Sequence, residues 1–271
     1  MNLKSLIWCS IIIVSLFSVC TAFESGAGSA RSLALGGVKT TLVGPRLDGL
    51  MFGNPAALSR NKAGIMFHYN NRFGLSDYRT ENVSFFGFTN RCGFGVTYLK
   101  NGVALKEDKN GSAYDNFWGN QRLGAGMGFH IKGINLGMNL WRYQEVVEID
   151  EDLSWMGGVE EGFIGDLGFL YESQDKRWGI GIVSKNLPLS KLTLDEQEYS
   201  FGFRYGQEGN LSMHTELTLN KKGTGDYQIK PKGGVEAWLS DKLALRLGVD
   251  SAQMITVGLG VYSGRWQLDY A

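Results

Sequence analysis

Apolar residues alternate with small or polar residues along most of the chain beyond residue 60. In the stretch 123–131, for example, every odd position is apolar and every even position is Gly or His. The same alternation recurs in residues 134–141, 167–171, 199–205, 211–219 and 243–250. Because successive side chains of a β-strand point to opposite faces, each such stretch is predicted to be a strand with one apolar face.

Extending this reading over the chain predicts about thirteen strands. They are expected at 63–70, 82–88, 92–100, 119–131, 133–143, 162–172, 177–185, 198–206, 211–220, 233–239, 242–249, 254–262 and 265–271.

The connections between these strands alternate between short and long. Those after even-numbered strands are tight, as at 132–133 and 240–241, whereas 100–118 and 144–161 are long and polar. Alternation of this kind is typical of outer-membrane barrels, which have short periplasmic turns and longer external loops. In lipid a sheet must also close so that no backbone group is left unpaired. We therefore predict an all-β fold, a transmembrane antiparallel up-and-down β-barrel with about 13 visible strands and 14 expected.

A soluble sandwich or propeller would also show alternating strands. Two features favour the membrane barrel. Many of the runs contain around ten residues, the length of a tilted membrane strand. The face that would point inward also carries charges of both signs, which a dry protein core rarely tolerates.

The inward-facing charges are candidates for ordering the interior. Glu236 and Arg246 are expected to face each other across a hairpin that turns near 240–241, and His214 and Glu216 share one face. We interpret the set as a salt-bridge network that supports the barrel or a plug, with ligand binding or gating as the alternative. The predicted lumen charges are Asp166, Arg204, His214, Glu216, Glu236, Arg246 and Asp269.

Residues 1–22 have the pattern of a signal peptide. Lys4 precedes an apolar run over 6–19, and small residues at 20–22 offer a cleavage site. A lipoprotein signal acylated at Cys20 is the alternative. After removal of this segment Cys92 is the one remaining cysteine, so an internal disulfide is not expected.

Composition excludes several classes of protein. The chain of 271 residues has 27 basic and 27 acidic side chains, a balance that does not favour nucleic-acid binding. An apolar content of 43% is too high for disorder, and 38 Gly with only 4 Pro and no triplet period do not fit collagen.

Residues 23–60 differ from the rest because they are Gly-rich and lack strand alternation, and we predict that they form a plug inside the barrel. Two motifs in this segment, at 30–37 and 54–58, resemble the N-terminal hatch of FadL-like outer-membrane transport proteins, in particular the PorV/PorQ branch. Short stretches at 166–168, 183–187, 234–238, 244–248 and 268–271 are similar as well. The hatch motif residues are Gly36, Gly37, Asn54, Pro55 and Ala56.

The resemblance implies a fourteen-stranded barrel plugged by its N-terminus. It implies one of two activities, either diffusion of hydrophobic molecules across the outer membrane or an accessory role in type IX protein secretion. The chain departs from the family at 44–48, where Gly-Pro-Arg-Leu-Asp replaces an acidic Asp-Asp pair.

Enzymatic motifs are not found. His68, His130 and His214 fall on different predicted strands, and the sequence contains neither a Gly-x-Ser-x-Gly elbow nor His-Glu-x-x-His. We therefore expect a non-enzyme without cofactor or catalytic metal.

Two connections carry clustered charge of opposite sign. The acidic one is interpreted as a solvated loop, with a divalent-cation site as the alternative. The basic one is also interpreted as a solvated loop, with contact to acidic lipopolysaccharide as the alternative. The acidic residues are Glu145, Glu148, Asp150, Glu151, Asp152, Glu160 and Glu161, and the basic ones Lys221, Lys222, Lys230 and Lys232.

The sequence thus predicts a signal peptide at 1–22, a plug at 23–60 and a barrel at 61–271 in the outer membrane of a Gram-negative-type bacterium. An odd strand count leaves one edge unpaired, so we expect the barrel to need one further strand. The predicted function is passage of hydrophobic or small solutes. The alternatives are docking of proteins secreted by the type IX route, and a secreted soluble β-protein. Expected partners are outer-membrane lipid, lipopolysaccharide, and a hydrophobic ligand or secreted protein, but not nucleic acid.

Overall fold

The computed structural model describes residues 29–42, 51–60, 63–71, 78–89, 91–109, 112–148, 160–190, 196–207, 209–222, 225–264 and 266–271. The predicted signal peptide, the departure at 44–48 and residues 150–152 of the acidic connection lie outside the described residues.

The described chain consists of two short helices followed by thirteen strands. Helix α1 covers Ala30–Ala34, and a 3-10 helix covers Pro55–Arg60. The strands are β1 (Gly64–Asn71), β2 (Tyr78–Phe88), β3 (Cys92–Lys109), β4 (Ser112–Ile131), β5 (Ile134–Glu148), β6 (Glu161–Glu172), β7 (Trp178–Pro188), β8 (Glu196–Gly206), β9 (Leu211–Lys222), β10 (Tyr227–Ser240), β11 (Leu243–Val249), β12 (Ile255–Ser263) and β13 (Trp266–Tyr270).

All thirteen strands form one sheet in chain order, each antiparallel to its neighbour. The predicted all-β, up-and-down architecture is therefore confirmed. Among the described residues, no helix is both long and apolar enough to cross a membrane.

The tight connections follow from their local conformations. Between β4 and β5, Lys132 and Gly133 both have positive φ, at 47° and 86°. Two consecutive residues in this region form the hairpin turn whose twist matches that of paired strands. Ile131 and Ile134 close the ladder directly on either side of the turn.

The outer face of the sheet is apolar and exposed along its strands. Leu140 is 50% exposed, Phe201 50% and Leu247 54%. Patches of this kind on soluble monomers rarely exceed a few hundred Å². A continuous exposed face of aliphatic and aromatic side chains fits a sheet surrounded by lipid.

The opposite face is covered by the N-terminal segment. Helix α1 packs on β11, β12 and β13, whereas the 3-10 helix packs on β2 to β6. One segment of the chain therefore touches nearly the whole width of the sheet on a single side. This arrangement places it inside a curved sheet.

The predicted boundaries were wrong in three places. Strand β5 was expected to end at 143 but continues to Glu148, so Glu145 and Glu148 belong to this strand and not to the acidic connection. The segment 100–118 was expected to be a polar loop, but β3 extends to Lys109 and β4 begins at Ser112. Strand pairing continues there from Asn101↔Asn120 to Lys109↔Ser112. The alternation of apolar and polar residues stops in this hairpin, but the strands stay paired because the hydrogen bonds of the backbone ladder do not depend on that alternation.

The tenth strand was also predicted too short, at 233–239. It begins at Tyr227, so Lys230 and Lys232 belong to β10 and are buried, with exposures of 1% and 2%. They were misassigned to the basic connection because alternating lysines look like a solvated loop. Their period of two in fact places both on the inner face.

Placing a charge on the outer face is expected to destabilise the fold. Leu140→Arg, at the middle of β5, should lower the free energy of unfolding by roughly 2–4 kcal/mol in lipid vesicles because the guanidinium would enter hydrocarbon. Urea titration followed by the heat-dependent shift in gel mobility measures the change. Lys132→Glu in the β4–β5 turn is the control and should leave the midpoint nearly unchanged, and equal midpoints for both variants would contradict a lipid-facing surface.

Candidate functional site inside the sheet

All seven predicted lumen charges point to the inner face, where six are buried and Asp269 is nearly so. They do not form one continuous network. Instead they fall into separate groups, most of which hold part of the N-terminal segment.

The first group joins α1 to the last four strands. Glu236 and Arg246 are directly paired across the β10–β11 hairpin, and Arg246 Nε donates to Glu236 Oε1 at 2.9 Å. Arg31 of α1 donates to both oxygens of Glu236, at 3.1 and 2.6 Å. Arg246 also donates to Asp269 Oδ1 at 2.6 Å and to the Tyr262 hydroxyl at 2.5 Å. Two arginines and two carboxylates make this buried group neutral.

The turn after α1 explains the two glycines of the hatch motif. Gly36 and Gly37 have positive φ, at 73° and 84°, a region in which L side chains are strained. A Cβ at Gly36 would also collide with the backbone of Val249. The Gly36 N–H donates to Thr256 Oγ1 at 3.1 Å, so the turn is fixed directly on β12.

Glu216 holds the next part of the segment through backbone groups. Its Oε2 accepts from the N–H groups of Lys39 and Thr40, both at 2.8 Å, and from Thr40 Oγ1 at 2.7 Å. The Lys232 ammonium lies 3.6 Å from Oε1. One carboxylate therefore anchors two consecutive residues of the plug.

His214 shares the inner face with Glu216, but the two side chains bind different groups. The His214 ring nitrogens lie 3.3 Å from Thr41 Oγ1 and 3.1 Å from Ser212 Oγ. The pair therefore contacts adjacent residues of the N-terminal segment and does not form an acid–base dyad.

The third group lies near the short turns. Glu172 accepts from Arg60 Nη1 at 2.6 Å and also pairs with Arg204. Arg60 in addition donates to Asn135 Oδ1 at 3.1 Å. This group attaches the end of the 3-10 helix to β5, β6 and β8.

The Asn-Pro-Ala motif forms the start of the 3-10 helix. Asn54 Nδ2 donates to the carbonyl oxygens of Thr40 and Phe169, both at 2.9 Å, and its Oδ1 accepts from Ala56 N at 3.0 Å. Pro55 and Ala56 lie directly on β5 and β6 at positions occupied by glycine. A Cβ at Gly137 would overlap Pro55 and Ala56, and one at Gly168 would overlap Asn54 and Pro55.

An apolar compartment occupies the other part of the interior. Phe52 stacks on Trp141 with ring centroids 5.5 Å apart, and Trp141 Nε1 donates to Asp166 Oδ2 at 2.7 Å. We define the apolar compartment as the ten buried residues Met51, Phe52, Ala56, Ala57, Leu58, Phe86, Leu99, Trp141, Ile164 and Leu170.

Several interior charges were missed by the sequence analysis. They include Arg31, Arg60, Glu172, Glu198, Lys39 and Lys185, and the Lys39 ammonium lies 2.8 Å from Glu198. The charges on strands could have been predicted. Glu172 and Asp166 are separated by an even number of residues on one strand, as are Glu198 and Arg204, so each pair lies on the same face. For the plug residues no periodic signal existed, because that segment is not a strand.

The charged connections offer little further information. Glu161, at the end of the acidic one, pairs with Arg142, and both are about half exposed. Among the described residues, no group of three or more His, Cys, Asp or Glu side chains is arranged to hold a metal ion. The cation-site alternative for residues 150–152 stays a prediction.

Comparison with solved structures identifies the fold as an outer-membrane type of β-barrel. The chain is similar to the CymD monoaromatic hydrocarbon channel, with a TM-score of 0.62, 13% identity and 92% of each chain covered. It is also similar to the Pseudomonas putida toluene transporter TodX, with a TM-score of 0.57, 12% identity and 91% of each chain covered. Neither the protein-family models nor the curated proteins include a match. At these identities the likeness concerns the fold, and the predicted barrel is confirmed.

Removing one interior carboxylate charge should be far more costly than removing an exposed one. Glu236→Gln leaves two buried guanidinium groups without their shared carboxylate, and should lower the free energy of unfolding by about 3–5 kcal/mol. Glu161→Gln breaks the half-exposed pair with Arg142 and should cost about 1 kcal/mol or less.

Urea titration of both variants in detergent micelles, followed by tryptophan fluorescence, measures the difference. Similar midpoints for the two variants would show that the group around Glu236 does not stabilise the fold.

Proposed function

We propose that the chain is a barrel of the outer membrane through which small hydrophobic solutes cross. The observation that carries the proposal is the apolar compartment, which lies inside a sheet whose inner face also carries many buried polar and charged residues. An apolar compartment within a lumen provides a place where a hydrophobic solute leaves water, at a gain of about 25 cal/mol per Å² of buried apolar surface.

The composition of the compartment walls supports passage along the N-terminal segment. Met51 and Phe52 belong to that segment, whereas Leu99, Trp141 and Ile164 belong to β3, β5 and β6. A solute in the compartment would therefore lie between plug and sheet. The charged groups that hold α1 and residues 39–41 are on other strands, so the plug would stay attached there while the apolar side accommodates the solute.

The location is supported by the exposed apolar outer face and by the fold. The solved structures similar to this chain are described as a hydrocarbon channel and a toluene transporter. Within this group, membership of the PorV/PorQ branch is part of the proposal and rests on the sequence resemblance.

Docking of secreted proteins is the second candidate, and one feature favours it. Strands β3 and β4 have 18 and 20 residues, whereas a membrane strand needs about 9–11. Their paired ends therefore extend as a hairpin well beyond the lipid, on the side of the long connections. A projecting hairpin is a suitable contact surface for another protein.

Uptake by proteoliposomes tests solute passage. Vesicles containing the full chain should take up toluene faster than empty vesicles and should discriminate against glucose. Leu99→Asn introduces an amide into the apolar compartment and should slow toluene uptake by roughly threefold or more, because part of the transfer free energy is lost.

Leu42→Asn is the matched control, since Leu42 is equally enclosed but belongs to the separate apolar cluster of Leu35 and Val38. Both variants are first checked for heat-dependent gel mobility. Uptake of toluene no faster than in empty vesicles would contradict the proposed function, and equal slowing by both substitutions would contradict the role of the compartment.

A further inference from the structure

Arg122 differs from the other arginines of the interior. Arg31, Arg60, Arg204 and Arg246 each form an ion pair with a described carboxylate. Arg122 has none within 4 Å among the described residues. Its side chain makes one hydrogen bond and one ring contact, and it interacts with Asp166 only through space.

The contacts of Arg122 leave the Nε edge of its guanidinium without a hydrogen bond among the described residues. Nη1 donates to Asn186 Oδ1 at 3.1 Å, and the guanidinium carbon lies 5.4 Å from the centroid of the Tyr143 ring. The Nε atom is buried and has no hydrogen-bond partner within the part of the chain that the structure describes. A buried donor without a partner costs free energy, so such a group is expected to have a reason.

The carboxylate beyond Asn186 does not satisfy this edge. Asp166 Oδ2 accepts from Trp141 and Asn139, at 2.7 and 3.1 Å, and its Oδ1 accepts from the Asn186 N–H at 3.1 Å. Asn186 therefore stands between the two charges. Asp166 accepts three hydrogen bonds of its own and none from Arg122.

The Nε edge has the geometry that recognises a carboxylate. In arginine, Nε–H and one Nη2–H point in parallel and form two hydrogen bonds to the two oxygens of one carboxylate. Nη1, which Asn186 occupies, is not needed for this arrangement.

The surroundings of Arg122 indicate the rest of the ligand. On the neighbouring strands it is paired with Leu99 and Tyr143, of which Leu99 belongs to the apolar compartment and Tyr143 packs against it. The guanidinium therefore lies at the boundary of the apolar compartment. The walls nearby are flat, with Phe52 stacked on Trp141 and the guanidinium lying against the Tyr143 ring.

We propose that Arg122 and the apolar compartment together form a binding site for small aromatic carboxylic acids. The carboxylate pairs with Nε and Nη2 of Arg122, and the ring, coplanar with it, enters the compartment beside Tyr143 and Trp141. This inference rests on the proposed function, because it states which hydrophobic solutes the barrel selects.

The site is tested by measuring the affinities of benzoate, benzyl alcohol, toluene and decanoate for the full chain in detergent micelles. The wild-type protein should bind benzoate more tightly than benzyl alcohol. Arg122→Gln should reduce the ratio of benzoate to toluene affinity about tenfold or more, which corresponds to loss of charge-assisted hydrogen bonds. Arg122→Lys keeps the charge without the planar edge and should give an intermediate ratio, and it serves if the Gln variant does not fold. Arg142→Gln, at a half-exposed arginine of β5, is the matched control and should leave the ratio unchanged.

The possible results separate the two proposals. An unchanged ratio in Arg122→Gln would overturn the site and assign Arg122 a packing role. A loss for decanoate as large as that for benzoate would overturn the aromatic class. Binding of toluene without preference for benzoate over benzyl alcohol would overturn this inference and leave the proposed function intact, whereas failure to bind toluene at all would overturn the proposed function.

Discussion

The charges on the inner face of this sheet are buried, and their neutralisation is the constraint around which the molecule is built. An unpaired ion in a low-dielectric interior costs several kcal/mol, which no single strand can supply. The strands provide Glu236, Glu216 and Glu172, and the N-terminal segment provides Arg31, two backbone N–H groups and Arg60. Each of these carboxylates also has a cation on the sheet, namely Arg246, Lys232 and Arg204 respectively. The N-terminal segment therefore adds further partners to ion pairs that the strands already form.

The need to neutralise buried charges also divides the interior into a charged region and an apolar region. Charged groups concentrate where residues 31–41 meet β8 to β13, whereas residues 51–58 meet β2 to β6 through apolar contacts. Asp166 and Arg122 lie where these regions meet, and each is bonded to Asn186. Residues 31–41 are thus held mainly by charged groups, whereas residues 51–58 combine apolar packing with hydrogen bonds such as that from Asn54 to the Phe169 carbonyl oxygen.

The fold was largely predictable because an apolar outer face and a polar inner face impose a strict period of two on each strand. Glu236 and Arg246 could be paired from the sequence, since a tight turn at 240–242 determines the register of its hairpin. The prediction from this period failed in the β3–β4 hairpin, where the alternation stops. It also failed at Lys230, where inward-pointing lysines were mistaken for part of a loop. The partner of Glu236 on the plug could not be predicted, because Arg31 lies 205 positions away in a segment without regular structure. Arg122 was overlooked for a similar reason. That it has no carboxylate within 4 Å among the described residues becomes visible only when the interior is packed.

The separation of 205 positions between Arg31 and Glu236 also determines the order in which native contacts form during folding. The N-terminal segment is synthesised before the sheet, and its anchors on β9, β10 and β11 follow only late in the chain. Contacts between such distant residues form late, because a very long loop must close before they contribute. Strand pairing between chain neighbours is local and can proceed without them. The plug is therefore expected to dock as a final step on a sheet that has already curved, so that the earliest part of the chain to be synthesised is the last to acquire its native contacts.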